Sequence, residues 1–398
     1  MRKVRFAVIG LGVVGNRHVK TFQRARSREF CLTAAVESDP QAAQRWRRKL
    51  DVPVFDEADE LFASGLCDAV VIAVPHCWHP HLTIRAARAG LHVVCEKPLA
   101  VTVGPARAMI AECRKHKVAL GAMLQDRTSN LWLKAKQMID SGRLGKIHYL
   151  SMAATRWYRT QAYYDSGAWR GTWDGEGGGI LINQACHSLD IFQWLGGMPD
   201  RVMCSLATRI HRIEVENTAE AIFHYADGCM GHFYVSTAHE PGLDRTEIFG
   251  DKGTLVAEGG KLRLARLEAP LSRHIRTCKI AEADIAKIDA IWRRVKLPAR
   301  AGGEHLDVFR AFARHVLHGT DMVATGEEAL NELELSNAMY LSGFKNKPVD
   351  LPVDAGEIER LLAKLERDRS AGKGAGLRRK ADAALRKLLG GSRATKRR

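Results

Sequence analysis

Apolar residues recur with two different periods along this chain. In its first part, short runs rich in apolar and β-branched residues occupy 3–9 (KVRFAVI), 31–36 (CLTAAV), 69–74 (AVVIAV) and 92–94 (HVV). Runs of that kind belong to strands buried on both faces of a parallel sheet. A helical pattern follows the first run from residue 16 to residue 24. Strands alternating with helices predict an α/β fold with a doubly wound parallel sheet. Beyond residue 124 the pattern changes. A helix is expected over 131–140, and then come IHYLSMAATRW, DRVMCSLAT, AEAIFHY, CMGHFYVST, RTEIFG and GTLVAEG. Several of these alternate with period two, which predicts a large, mostly antiparallel open sheet with one buried face. The chain therefore divides into 1–124, 125–353 and an appended segment, 354–398.

The totals agree with this division. A chain of 398 residues exceeds what one hydrophobic core usually serves. No uncharged apolar run reaches the roughly 18 residues a bilayer span needs. The opening MRKVRFAVIG turns into glycines too early for a secretory signal, so a cytoplasmic protein with no membrane association is expected. Nine cysteines stand singly, with no C-x-x-C pair, which argues for reduced thiols rather than disulfides or a zinc ribbon. Cys186 is read as a packing residue.

The net charge of +16 is unevenly spread, because residues 354–398 hold 14 Lys/Arg against 6 Asp/Glu. That segment is helix-prone at EIERLLAKLERDR, breaks at SAGKGAG, resumes at LRRKADAALRKLLGG and ends in SRATKRR. Two readings stay open here: a solvated, partly disordered extension, or a basic tail touching nucleic acid or an acidic partner.

The first apolar run enters GLGVVG, which sets Gly10, Gly12 and Gly15 in G-x-G-x-x-G spacing, with Val13 and Val14 at the helix start. Gly10 suits a tight turn, Gly12 keeps a Cβ away from a pyrophosphate, and Gly15 lets helix and strand approach. The second run ends on Glu37, placed to accept both ribose hydroxyls and to repel a 2′-phosphate. NAD is thus expected as cofactor, with NADP still compatible through Ser38 and the nearby arginines. The strand-end cluster His76, Cys77, His79 and His81 has no matching second cluster, so no metal is expected. No G-x-x-x-x-G-K-[ST] occurs.

The stretch VIAVPHCWHPHLTIRAARAGLHVVCEKPLA resembles the Gfo/Idh/MocA oxidoreductases, with Pro75, His79, Gly90, Glu96, Lys97 and Pro98 on that family's pattern. The resemblance implies that Lys97 is the active-site lysine, preceding a cis proline bond. It also implies that Pro75, His79, Glu96 and Gln125 border the cofactor. Residues 177–190, GGGILINQACHSLD, resemble the family's GGG-x-x-x-D-x-x-x-H, with Asn183 in place of the aspartate and His187 as proton acceptor. Residues 180–197 are expected to form an amphipathic helix carrying Asn183, His187 and Asp190 on one face. An asparagine cannot raise the imidazole's basicity as a carboxylate would, so proton acceptance falls to His187 alone. An imidazole with an ordinary pKa near 6.5 suits that task.

Upstream, RWYRTQAYYDSGAWRGTWDGEGGG holds six aromatics and three arginines in 24 residues. The segment resembles the loop that closes over substrate in sugar-oxidising relatives, and Tyr158, Tyr164, Trp169 and Arg170, with Arg127, are expected to touch the substrate. The resemblance extends over about residues 1–353. It implies an NAD(P)-dependent dehydrogenase of a sugar or glycoside, acting on a pyranose hydroxyl such as that at C3, in a homodimer or homotetramer. Alternatives are an inositol or nucleotide-sugar dehydrogenase and, from another class, a noncatalytic NAD-sensing regulator.

Overall fold

The computed structural model describes residues 3–282, 285–299, 302–369 and 377–390. Six parallel strands form the first sheet: β1 (Val4–Ile9), β2 (Phe30–Val36), β3 (Val54–Phe55), β4 (Ala69–Ile72), β5 (His92–Cys95) and β6 (Leu120–Ala122), in the order β3-β2-β1-β4-β5-β6. The order reverses at β1, so the tips of β1 and β4 flank a crevice where such folds take ligands. Val70, Val71, Val93 and Val94 are fully buried, which is why the central strands read as unbroken apolar runs. The two short strands β3 and β6 were not visible in the periodicity.

The second sheet has nine strands. They are β7 (Ile147–Ala154), β8 (Arg201–Ala207), β9 (Thr218–His224), β10 (Met230–Ser236), β11 (Asp244–Gly250), β12 (Gly253–Glu258), β13 (Lys261–Leu267), β14 (Ala290–Arg294) and β15 (Val349–Asp350). Their order is β14-β13-β12-β11-β7-β10-β9-β8-β15, antiparallel throughout except where β10 runs parallel to β7. The fold is therefore α/β, a doubly wound parallel sheet joined to a large, mostly antiparallel one. One face packs on helices Cys186–Gly196 and Gly326–Lys345. The other leaves Ile222, Met230 and Phe249 exposed.

The second half of the chain also completes the first core. Helix His305–His318 returns to the first sheet, and its Phe309 and Phe312 pack on Phe6, with Phe309 stacked on Phe22 at 4.5 Å. No helix among the described residues is long and apolar enough to cross a membrane.

The appended segment differs from the loose, solvated extension expected. Helix Ala355–Arg369 packs on helices Val103–Lys115 and Gly326–Lys345, burying Ile358, Leu362 and Leu365. Helix Leu377–Leu388 packs on the turn His76–Trp78 and the helix His79–Arg88, burying Ala381 and Leu385. Apolar residues at helical spacing give both helices a face that leaves water, and burial outweighs their surplus charge. SAGKGAG and SRATKRR lie outside the described residues.

Candidate active site

The glycine turn is built by close approach. Gly10 has φ +88°, and a Cβ there would lie 2.6 Å from the Ala73 carbonyl oxygen. A Cβ on Gly15 would lie 1.8 Å from the Gly10 carbonyl oxygen, which is how near helix Val13–Ala25 comes to the turn. Over Gly12 nothing lies within 4 Å of where a Cβ would stand, and no side chain caps the helix there. Val13 and Val14 are exposed beside it. Uncapped backbone N–H groups at an open helix start suit a pyrophosphate. Glu37 stands at the neighbouring strand tip, where its carboxylate accepts from Leu11 N at 2.9 Å and Asp39 N at 3.1 Å. These residues fit an adenine dinucleotide.

The tip of β5, Glu96-Lys97-Pro98, has a cis Lys97–Pro98 bond. Its shape is fixed from three sides. His79, fully buried, has Nδ1 2.9 Å from Pro98 O and Nε2 2.9 Å from Val74 O. Those contacts tie the Pro75 turn to the Lys97 turn. Glu96 receives His18 Nε2 at 2.7 Å and Lys97 N at 3.2 Å. Burial alone would raise the Glu96 carboxyl, but the hydrogen bond and charge of His18, with the charge of Lys97, bring it down to about 2. His305 joins His18 and Glu96 in a group whose ligand-type atoms lie within 4.8 Å of one another. Sequence reading had no signal for that grouping, since its members come from three distant segments.

Opposite stands the glycine run. The Glu216 carboxylate accepts from Gly179 N at 3.1 Å, Leu181 N at 3.0 Å and the Tyr340 hydroxyl at 2.8 Å. Gly179 is pressed so close that a Cβ would lie 1.7 Å from the Glu216 carbonyl oxygen. Burial raises the Glu216 carboxyl to about 7 despite these donors. The chain then turns through residues 180–185, with Ala185 N bonded to Ile180 O at 2.7 Å, before the helix Cys186–Gly196 begins. This departs from the amphipathic helix expected over 180–197. The helix starts later, and it is buried on all sides from Cys186 to Gln193. Asn183 belongs to the turn, not the helix.

That turn meets Lys97. The Lys97 ammonium donates to Asn183 O at 2.7 Å and to Asn183 Oδ1 at 3.2 Å. Burial works against its charge, but Cys186, Glu96, Tyr163 and Glu176 outweigh burial and hold it above the usual lysine value. The Asn183 amide nitrogen donates in turn to Glu176 Oε1 and, at 3.4 Å, to the Tyr163 hydroxyl. His187 is buried, and its Nε2 lies 3.4 Å from Gln125 Nε2. Its Nδ1 and the Gln125 Oε1 have no hydrogen-bond partner among the described residues. Burial lowers the imidazole pKa below 6.5; Asp126 acts against that shift and the Lys97 charge adds to it.

The other expected contacts are placed variously. Arg127 is buried, with its fork on both Asp190 oxygens at 2.8 and 2.7 Å and its third nitrogen on Glu328 at 2.9 Å. It locks the helix Cys186–Gly196 in place, and Asp190 serves that lock rather than a face shared with Asn183 and His187. Tyr164 is also buried, and its hydroxyl meets Thr237 Oγ1 at 2.9 Å. Tyr158 is about half exposed. Trp169 packs edge-on to His76 at 5.8 Å, and Arg170 lies over both Trp169 and Tyr163 while donating to the Tyr163 hydroxyl at 2.6 Å. Sequence reading missed Tyr163 and Glu176, which accept from the Asn183 amide, and Gln184, whose amide donates to the same Tyr163 hydroxyl. Glu176, one residue ahead of the glycine run, was the signal available.

Residues 4–123 match the oxidoreductase family with an NAD-binding Rossmann fold, GFO/IDH/MocA, and residues 132–256 match the GFO/IDH/MocA C-terminal domain. An oxidoreductase of Streptococcus pneumoniae is 25% identical over 370 residues, covering 87% of this chain and 98% of that one. The myo-inositol 2-dehydrogenase of Thermotoga maritima is 25% identical over 64% of this chain and 75% of its own. Among solved structures, the WlbA dehydrogenase of Bordetella pertussis, in complex with NADH and UDP-GlcNAcA, superposes with a TM-score of 0.74 at 28% identity, covering 89% of this chain and all of that one (100%). With both of its domains matched, this chain is an oxidoreductase of the GFO/IDH/MocA family, with that family's NAD-binding Rossmann domain.

Proposed function

We propose that this protein oxidises a ring hydroxyl of a sugar or glycoside, the pyranose C3 hydroxyl being the first choice. Lys97 and His187 attend the reacting oxygen. The observation that carries the reading is the meeting of Lys97 with the Asn183 turn, four residues ahead of His187.

NAD, when bound, supplies a nicotinamide ring that takes the hydride. Gly10, Gly12, Val13, Val14, Gly15 and Glu37 hold the dinucleotide, and Pro75, His79, Glu96, Lys97 and Gln125 shape the nicotinamide end. An ammonium has three N–H donors, and Lys97 spends two on Asn183. The third is available to the substrate oxygen, whose growing negative charge it stabilises. His187 stays neutral at physiological pH because burial lowers its pKa, so its ring can accept the hydroxyl proton. Asn183, held by Glu176 and Tyr163, keeps Lys97 in place and can offer a polar atom to a neighbouring hydroxyl. Trp169 and Arg170 border the approach. A cavity of about 390 Å³ opens beside Asp126 and Ser188, with Arg156 and Asp244 in its wall.

A second reading, oxidation of a nucleotide sugar, is favoured by the likeness to a relative crystallised with UDP-GlcNAcA. Screening NADH formation against monosaccharides, glycosides, inositols and nucleotide sugars tests both. Turnover of a pyranoside supports the first reading, and turnover confined to nucleotide sugars selects the second. An NAD-binding protein inert to the whole panel would defeat both. We also assign the face bearing Ile222, Met230 and Phe249 to contact between copies in a dimer or tetramer. Light scattering reads that directly.

A further inference from the structure

We infer that the helix Leu377–Leu388 is part of the active-site assembly, with Arg378 as a positioning residue for the substrate loop. The inference rests on the proposed function, in which the segment 156–179 and the Asn183 turn that it enters border the substrate. The helix touches both halves of the site. On the Rossmann side it packs over the turn His76–Trp78, and Arg88 donates to the Leu388 carbonyl at 2.9 Å. On the other side, the Arg378 backbone N–H donates to the Asp174 carbonyl at 3.1 Å.

The anchoring is chemical as well as steric. Arg378 is buried, paired with Glu366 on the preceding helix and lying 3.9 Å from Asp382 one turn along its own. A buried arginine so paired cannot drift without leaving carboxylates uncompensated. Its position therefore fixes Asp174. Two residues on, the Glu176 carbonyl lies 3.2 Å from His76 Nδ1, and the Glu176 carboxylate holds Gly171 N at 2.7 Å and the Asn183 amide. Asn183 holds Lys97. A continuous set of contacts thus runs from Arg378 to the lysine ammonium. The turn beneath the helix carries His76, which is the loop's other attachment.

Such a strap sets how ordered the loop is before substrate arrives, which appears as substrate affinity rather than nucleotide affinity. The test is hydrogen–deuterium exchange on full-length, NAD-saturated protein, comparing wild type with Arg378→Ala and Leu385→Asp. The second variant loosens the same helix from an apolar contact and leaves the buried charge in place. Amides of residues 171–183 should exchange about tenfold faster in both, with Ala69–Ile72 and Met230–Ser236 unchanged. With a sugar turned over in the panel above, KM for the sugar should rise several-fold while NAD affinity holds. Loop exchange equal to wild type in either variant, or a uniform rise along the whole chain, overturns the inference. The exchange result needs no substrate, so it stands or falls separately from the proposed reaction.

Discussion

Lys97 Nζ reaches across from the Rossmann edge and ends 2.7 Å from the backbone carbonyl of Asn183. The contact uses a main-chain oxygen, which any residue at position 183 would present, and the Asn183 Oδ1 accepts a second bond at 3.2 Å. Lys97→Ala should lower turnover by roughly 10²–10³-fold while NAD binding, followed by nucleotide fluorescence, stays near wild type. Near-normal turnover would remove Lys97 from the reaction.

The pH dependence follows from His187. Its pKa in the folded protein lies below 6.5 because the ring is buried and Lys97 is near. A proton acceptor must be neutral, so kcat/KM should be flat at neutral pH and fall on acidification, with an apparent pKa under 6.5. His187→Asn should remove that acid limb along with most of the rate. A limb that persists unchanged in the variant would assign it to another group.

His305 contributes to acid stability in the same sense. Burial, with His18 and Arg17 nearby, lowers its pKa to about 4, whereas an unfolded histidine titrates near 6.5. The unfolded chain therefore binds the proton first. Stability from this ring is complete above about pH 6.5 and is lost as pH falls toward 4. His305→Phe should flatten the acid side of a Tm-against-pH curve, and an unaltered curve would contradict the assignment.

In the proposed reading, cofactor choice rests on Glu37 at the β2 tip. Glu37→Ala should weaken NAD far more than NADP, because it removes a carboxylate that favours ribose hydroxyls and repels a phosphate. Titration with both nucleotides decides it, and equal weakening would transfer the preference elsewhere.

Much of this was legible in the sequence because it is local. Buried parallel strands announce themselves as apolar runs, and Gly10, Gly12 and Gly15 are spaced by a turn that tolerates few alternatives. The EKP tip and the glycine run were legible by resemblance. What escaped depends on long-range pairing. Arg127 and Asp190 are 63 residues apart, and nothing in either neighbourhood said that they would form a buried fork instead of facing substrate. The start of the helix at Cys186 was hidden because apolar residues run on both sides of it, so periodicity has no edge there. The charge of residues 354–398 suggested a solvated tail, yet Ile358, Leu362, Leu365 and Leu385 decide the outcome by burial. Net charge counts ions and ignores the apolar stripe between them.

The most direct measurement is a crystal structure of the ternary complex with NADH and the sugar turned over in the panel. Lys97 Nζ and His187 Nε2 should both lie within about 3.2 Å of one substrate oxygen, on the carbon facing the nicotinamide. A sugar bound productively with its reacting oxygen held by neither side chain, or by Lys97 while His187 faces a separate cavity, would contradict the account.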